Sequence, residues 1–261
     1  MSFTVHKNPE YLTSSVITVP HAFSTRHGGV SQGHLASLNL GIHRGDEREN
    51  VEKNYEIFGK AVGFDPKTLV FTHQTHTDIV ARVGAADCGA GLEREVTDER
   101  DGLITNEKGV TLIVFSADCT PILLHDPVHH AVGAVHSGWR GTAAGIVRRA
   151  LEQMADAFGT DPADVEAAIG PCIGRCCFET HSDVPDAMRN ALGDAAMRAV
   201  TDDGNGKFHV DLKEINRLWL ELAGVKKIDV SEDCTACQPE RFWSHRRVGN
   251  ARGSLAAVIR L

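Results

Sequence analysis

The middle of the chain carries short apolar runs with almost no polar interruption. Leu112-Ile-Val-Phe115, Ile122-Leu-Leu124 and Ala131-Val-Gly-Ala-Val135 have the pattern of strands buried on both faces. Residues 1–45 read as strands and turns, with the β-branched run 14–19 as one strand and Gly28-Gly29 as a hairpin turn. Further strands are expected at 165–169, 208–212, 228–230 and 255–261, and one after Asp65-Pro-Lys that begins at Val70-Phe71 and carries Gln74 and His76. Helical spacing predicts a helix over 46–62, with Asp46 as N-cap and Val51, Tyr55, Phe58 and Val62 on its apolar face. A second helix is expected over 142–158 through Ile146, Val147, Ala150, Leu151, Met154 and Phe158, closed by Gly159. Two more are read over 183–198 and 212–223.

Between these elements, residues 84–102 are small, polar and charged, and read as a mobile surface loop in which Cys88 is incidental. Asp202-Asp-Gly-Asn-Gly is a loop without the twelve-residue ligand spacing of a calcium site. No repeat, linker or low-complexity segment divides the chain. The expected fold is therefore one α+β domain of mixed β-sheets flanked by helices. The strand-to-helix order is too irregular for a doubly wound parallel sheet.

Composition narrows the function. A net charge of -8 over 261 residues argues against non-specific binding to nucleic acid or to an anionic membrane. No apolar run approaches the roughly 18 residues of a membrane span, and the N-terminal segment lacks the apolar core of a signal peptide. The seven cysteines are odd in number and scattered, which suits reduced thiols in a cytosol better than a disulfide framework. A cytoplasmic protein is expected.

Candidate chemistry clusters at strand ends. Cys119 follows the first apolar run, and His136 follows Ala131–Val135. Thr72-His-Gln-Thr-His76 adds two more histidines, and strand alternation would set His76 and Gln74 on one face and His73 on the other. His, Cys and His are good ligands for zinc or copper, and three protein ligands with an open fourth position is the pattern of a catalytic site. Gly138 and Gly141 allow close backbone approach, and Arg140 precedes a helix whose N-terminus would favour a phosphate. Cys172, Cys176 and Cys177 lack the paired Cys-x-x-Cys repeats of a structural zinc site, and are not read as one. Cys234-Thr-Ala-Cys237 has redox spacing, but nothing thioredoxin-like surrounds it.

His-Gln-Thr-His, Ala-Asp-Cys-Thr-Pro, His-Ser-Gly-Trp-Arg-Gly-Thr and Ile-Gly-Pro-Cys-Ile-Gly together resemble the YfiH-like family. It is also called the laccase-domain or polyphenol-oxidase family, and the purine nucleoside phosphorylase family. The resemblance covers nearly the whole chain. It implies His76, Cys119 and His136 as metal ligands, with zinc as the ion and copper as the alternative. It implies a fold similar to the catalytic domain of the cytotoxic necrotizing factor toxins. Ser-Thr-Arg-x-Gly-Gly-Val-Ser and Ser-Leu-Asn-Leu-Gly bring Arg26 and Asn39 in as substrate-pocket candidates. Asp101 is expected behind the ligands, and Asp118, Glu179 and Asp101 are the candidate acid/base carboxylates. The family usually has Asn-Arg where this chain has Asn54-Tyr55, so no basic residue is expected there.

The implied activity is phosphorolysis of adenosine, inosine, guanosine and S-methyl-5′-thioadenosine, with adenosine deamination as a second activity. Purine nucleoside and phosphate are then the partners of a monomer or homodimer, with Cys119, His136, Asp118 and Arg140 as the catalytic set. The rivals are a copper-dependent polyphenol oxidase, a cysteine hydrolase using Cys119 and His136, a peptidoglycan editing factor, and a metal-binding module without catalysis.

Overall fold

In the computed structural model, which describes residues 2–261, the chain begins with β1 (Phe3–His6), β2 (Tyr11–Ser14) and β3 (His21–Ser24), followed by α1 (Arg48–Val62). Strands β4 (Leu69–Phe71), β5 (Val80–Arg82) and β6 (Gly102–Thr105) come next, then β7 (Thr111–Ser116), β8 (Thr120–Asp126) and β9 (Ala131–Ser137). Two helices follow in succession, α2 (Trp139–Ala144) and α3 (Ile146–Phe158). The remainder is β10 (Glu166–Ile169), β11 (Glu179–Thr180), α4 (Asp183–Leu192), β12 (Val200–Gly204), β13 (Lys207–Val210), α5 (Leu212–Ala223), β14 (Lys227–Val230), α6 (His245–Val248) and β15 (Leu255–Arg260).

Two six-stranded sheets form, in the orders β1-β2-β3-β15-β7-β4 and β14-β10-β8-β9-β6-β5, with a small third sheet β11-β13-β12. Both large sheets are mixed. β4 runs parallel to β7, β5 to β6 and β10 to β14, while the central pairs β15–β7 and β8–β9 are antiparallel. The two sheets face each other through Phe23, Leu112, Val114 and Ala257 on one side and Leu103, Leu123, Val132 and Ala134 on the other. Helix α1 covers the outer face of the first sheet through Val51, Tyr55 and Phe58. Helix α3 covers the outer face of the second through Ile146, Val147, Ala150 and Met154. Strands buried on both faces need apolar side chains at consecutive positions, which is why β7, β8 and β9 read as continuous runs. This is the expected α+β architecture, one domain of mixed sheets between helices.

Several local expectations fail for identifiable reasons. The run 14–19 is not a strand, because β2 ends at Ser14 and β3 begins at His21. Gly28-Gly29 does not close a hairpin. β3 pairs with β2 and β15, and the Gly28 and Gly29 amides instead donate to Ser37 Oγ at 3.0 and 3.2 Å. Asp46 does not cap α1. Its carboxylate accepts from Ser31 Oγ at 2.6 Å and Asn39 Nδ2 at 2.9 Å, and Glu47 stands at the helix start. The helix expected over 142–158 is broken at Gly145, whose φ of 73° is left-handed, into α2 and α3.

The segment 84–102 is more ordered in its contacts than its composition suggested. The Gly89 amide donates to Leu69 O at 2.8 Å, Phe71 N donates to Ala90 O at 2.9 Å, and Leu92 is buried. Residues 202–206 are not an open loop: Asp202 to Gly204 end β12 and pair with β13, and Asn205 and Gly206 form the hairpin turn. Tyr55 is wholly buried and donates to Leu40 O, so this position is a core anchor.

Leu123 lies on the inner face of the second sheet and is 0% exposed. Removing its side chain leaves a cavity between two sheets that cannot both move in. Leu123→Ala is expected to lower the unfolding free energy by about 2–5 kcal/mol, read from urea midpoints at unchanged slope. A loss below about 1 kcal/mol would show that the sheets repack.

Candidate metal centre

The centre is built where the chain crosses from one large sheet to the other. β7 belongs to the first sheet and β8 to the second, and the turn between them holds Ala117, Asp118 and Cys119. Asp118 has a φ of 95°, unusual for a residue with a side chain. Its carboxylate steadies that conformation by accepting from Thr235 Oγ1 and from the Arg246 amide, both at 2.6 Å. The result presents the half-exposed Cys119 toward the gap between the sheets. His136 is in β9 itself, on the same face as Val132 and Ala134, and so projects into that gap from the other side.

His76 arrives by a different route from the one strand alternation predicts. β4 ends at Phe71, and residues 75–77 fold around the carboxylate of Asp101. His76 has a φ of 67°. Asp101 Oδ1 accepts from the His76 amide at 3.1 Å and from His136 Nδ1 at 2.7 Å. Its Oδ2 accepts from the amides of Thr75 and Thr77 at 3.2 and 2.9 Å and from Thr77 Oγ1 at 2.8 Å. One buried carboxylate therefore fixes the backbone that carries one histidine and the ring of another. The bond to Nδ1 leaves His136 Nε2 free to face the cleft. Gln74, just before, is pinned to β7, since its Nε2 donates to Phe115 O at 2.8 Å and its Oε1 accepts from Phe115 N at 2.6 Å.

The donor atoms of His76, Cys119 and His136 all lie within 4.8 Å of one another. Cys119 Sγ is 3.7 Å from His76 Nε2, and the two imidazole rings meet edge to face at 5.1 Å between centroids. A Cβ on Gly138 would lie 2.7 Å from His76 Cδ2 and 3.4 Å from Cys119 Sγ, so glycine is required for the three groups to close up. His73 is exposed and lines the same cleft, but it stands outside the donor cluster, with Nδ1 bonded to Thr97 O at 3.0 Å.

Charge in the cluster is arranged to favour a thiolate. Burial alone would raise the Cys119 thiol, but the charge and hydrogen bond of His136, then those of His76, bring it down to about 6. Burial opposes protonation of His136, yet Cys119 and Asp101 lift it to about 9. Burial would raise Asp101, and the bonds to His136 and Thr77 hold it down at about 2. A soft thiolate, two imidazoles and a carboxylate on the outer nitrogen of one of them fit a divalent zinc or a copper ion.

A cavity of about 880 Å³ opens beside the three groups. Phe115, Gln74, Arg44 and Arg252 contribute to its wall, and Gly91 to Thr97 form one side. Sequence reasoning did not single out Arg44 or Arg252. Arg44 lies in a turn before α1 and Arg252 in a turn before β15, and no periodicity or motif spacing marks either. Arg44 Nε donates to Ser254 Oγ at 3.1 Å, and Arg252 Nη1 to Gly253 O at 3.0 Å, while the buried Arg252 Nε has no partner. Burial and the charge of Arg44 hold the Arg252 guanidinium down at about 10. Two cations pressed together in one wall, with an unused donor, suit an anion.

The other residues drawn from sequence sit elsewhere. Arg26 stacks on Trp243 at 3.7 Å and donates to Ala36 O and Pro239 O. Asn39 is fully buried and joins Gly41, Asp46 and Ser254. Glu179 is exposed and paired with Lys207 at 2.9 Å. Arg140 is exposed and lies over the Trp139 ring at 4.2 Å, and it lines neither cavity next to Cys119. It lies in the first turn of α2 instead of before a helix, and α2 spans only Trp139–Ala144, too short for the extended helix end that the sequence suggested.

Known proteins share this arrangement of chain. The family model described as multi-copper polyphenol oxidoreductase laccase matches residues 20–261. Purine nucleoside phosphorylase YlmD of Bacillus subtilis is 39% identical over 241 residues, which is 91% of this chain and 86% of that one. The crystal structure of Bacillus licheniformis hypothetical protein YfiH superposes with a TM-score of 0.93 at 34% identity, covering 98% of each chain. That of YlmD from Geobacillus stearothermophilus gives 0.92 at 35% identity, covering 99% of this chain and 98% of that one. With a family model and relatives spanning nearly its whole length, the chain belongs to the multi-copper polyphenol oxidoreductase laccase family, the YfiH/YlmD group of proteins.

Proposed function

We propose that this protein is a zinc-dependent enzyme that cleaves purine nucleosides by phosphorolysis, with adenosine, inosine, guanosine and S-methyl-5′-thioadenosine as substrates. The observation that carries the reading is the pair Arg44 and Arg252 in the same cavity as His76, Cys119 and His136. Phosphorolysis needs a bound phosphate next to the nucleoside, and this pair supplies a site for it. Relatives named purine nucleoside phosphorylase agree with it. His76, Cys119 and His136 would hold the ion, and three donors are too few for the multicopper cluster of a laccase.

In the reaction a phosphate oxygen bonds to C1′ of the ribose. The C1′–N9 bond breaks, its electron pair goes to the purine, and the base takes up, through water, the proton that the hydrogen phosphate gives up. Arg44 and Arg252 hold the phosphate by charge-assisted hydrogen bonds and set its approach. Phe115, half-buried in the wall, offers an apolar face to the base. Asp101 keeps His136 and the His76 turn in place and touches no substrate. The bound ion supplies Lewis acidity for one electronegative atom of the substrate.

Adenosine deamination by zinc enzymes relies on a carboxylate free to move protons. Asp101 accepts five hydrogen bonds, Asp118 accepts one on each oxygen, and Glu179 pairs with Lys207, so phosphorolysis is the better-supported reading.

The ligand set is tested by metal content. His76→Ala, Cys119→Ala and His136→Ala are each expected to lose the ion at this centre, while His73→Ala keeps it. Mass spectrometry of metals in the purified variants measures this. A Cys119→Ala protein that keeps the full wild-type zinc count at unchanged affinity would rule out the three-ligand centre.

The activity is tested with adenosine and phosphate, by identifying products by mass. Adenine with ribose-1-phosphate is expected. Inosine alone would replace phosphorolysis by deamination, and unchanged adenosine would refute both. For Arg252→Gln the KM for phosphate is expected to rise on the order of tenfold or more, from the loss of a charged hydrogen bond, with zinc content unchanged. An unaltered phosphate KM would place the anion elsewhere.

A further inference from the structure

Four cysteines that the mechanism does not use meet at one point. Cys176 and Cys177 lie on the segment between β10 and β11, and Cys234 and Cys237 on the segment between β14 and α6. Their sulfurs all lie within 4.8 Å of one another, with Cys176 Sγ 3.3 Å and Cys177 Sγ 3.4 Å from Cys237 Sγ. None of the seven cysteines is in a disulfide. Zinc–sulfur bonds of about 2.3 Å in a tetrahedron put sulfurs about 3.8 Å apart, so the cluster is close to the size such an ion needs. Read in sequence, Cys176-Cys177 supplies no Cys-x-x-Cys pair of its own. Read in space, it completes the Cys234-x-x-Cys237 pair.

The backbone around the cluster is also arranged for thiolates. The Cys234-x-x-Cys237 turn is closed by the amides of Cys237 and Gln238 donating to Cys234 O, both at 3.2 Å. The Gly174 amide donates to Cys234 Sγ at 3.1 Å, as amides do to metal-bound sulfur. A Cβ on Gly174 would crowd both Cys176 Sγ and Cys234 Cβ at 3.2 Å. Positive charge stands beside the cluster. Arg246 Nη1 donates to Cys177 O at 3.1 Å, and Arg247 Nε donates to Ala236 O. A four-thiolate zinc site carries net negative charge, and these guanidinium groups offset it.

We propose that Cys176, Cys177, Cys234 and Cys237 hold a second zinc ion, closed and structural, separate from the centre at Cys119. Each of the four thiols gives up a proton to solvent and one sulfur lone pair to the ion, with no change in oxidation state. The ion ties together two segments that support the first centre. Ile173 N donates to Asp118 O at 2.9 Å, Thr235 N to Cys172 O at 3.0 Å, and Thr235 Oγ1 to the Asp118 carboxylate. The second site therefore lies behind the turn that aims Cys119.

Metal counting on desalted full-length protein tests this. Wild type is expected to hold about two equivalents of zinc, and Cys176→Ser and Cys237→Ser about one each. Adding a chelator to wild type is expected to make five further thiols reactive toward a thiol reagent, the four of this cluster and Cys119. A zinc count unchanged in both serine variants overturns the proposal, as does a Cys176–Cys237 disulfide found in protein alkylated at purification. Should the serine variants fail to fold, Cys119→Ala serves in their place. That variant is expected to retain about one equivalent, whose removal exposes the four thiols; no zinc and four thiols already reactive in it overturns the second site.

Discussion

The carboxylate of Asp101 is the constraint on which the candidate centre depends. It is wholly buried at the start of β6, yet it is charged and satisfied by five hydrogen bonds from the 75–77 turn and His136. A buried charge is tolerable only when donors surround it. Those donors are the parts of the chain that must be held for chemistry. The backbone of His76 cannot relax from its left-handed conformation without exposing the carboxylate. His136 cannot turn without losing the bond to Nδ1. One ionised group thus converts a flexible turn and a strand side chain into a fixed pair.

The sheets supply the rest of the geometry. Cys119 sits on the one connection that passes from β7 in the first sheet to β8 in the second, and His136 looks back from β9. Because both faces of these strands are packed, neither sheet can slide without opening a core. The support extends outward from the candidate ligands, from Cys119 to Asp118, from Asp118 to Thr235 and the Arg246 amide, and from Thr235 to the four-cysteine cluster.

What the sequence made legible follows from the range of the interactions involved. β7, β8 and β9 were readable because continuous burial leaves continuous apolar runs. α1, α3 and α5 were readable because each buries a single stripe. His76 was chosen on the family resemblance together with strand alternation, and the alternation does not hold, since its position comes from the turn around Asp101 and not from strand register. The break at Gly145 was hidden because apolar spacing runs on through it, while only φ reveals the kink. Arg44 and Arg252 stood 208 residues apart without a motif, and only the packing of two turns brings them into one wall. The cysteine cluster was missed because Cys176 and Cys177 were weighed with Cys172 and lacked paired spacing, while Cys234 and Cys237 were weighed apart as a redox pair; half of the cluster comes from each of two distant segments. Arg26, Asn39, Glu179 and Arg140 were drawn from motif and position, and all four find partners outside the cavity.

The most direct test of this account is the zinc affinity of Asp101→Asn at the Cys119 centre, measured by chelator competition alongside wild type. The asparagine keeps the shape and some hydrogen bonds, but removes the charge that orients His136. The account predicts affinity about 10–100-fold weaker with the fold retained by circular dichroism. An affinity equal to wild type would contradict it, and would mean that the three ligands hold their positions without the buried carboxylate.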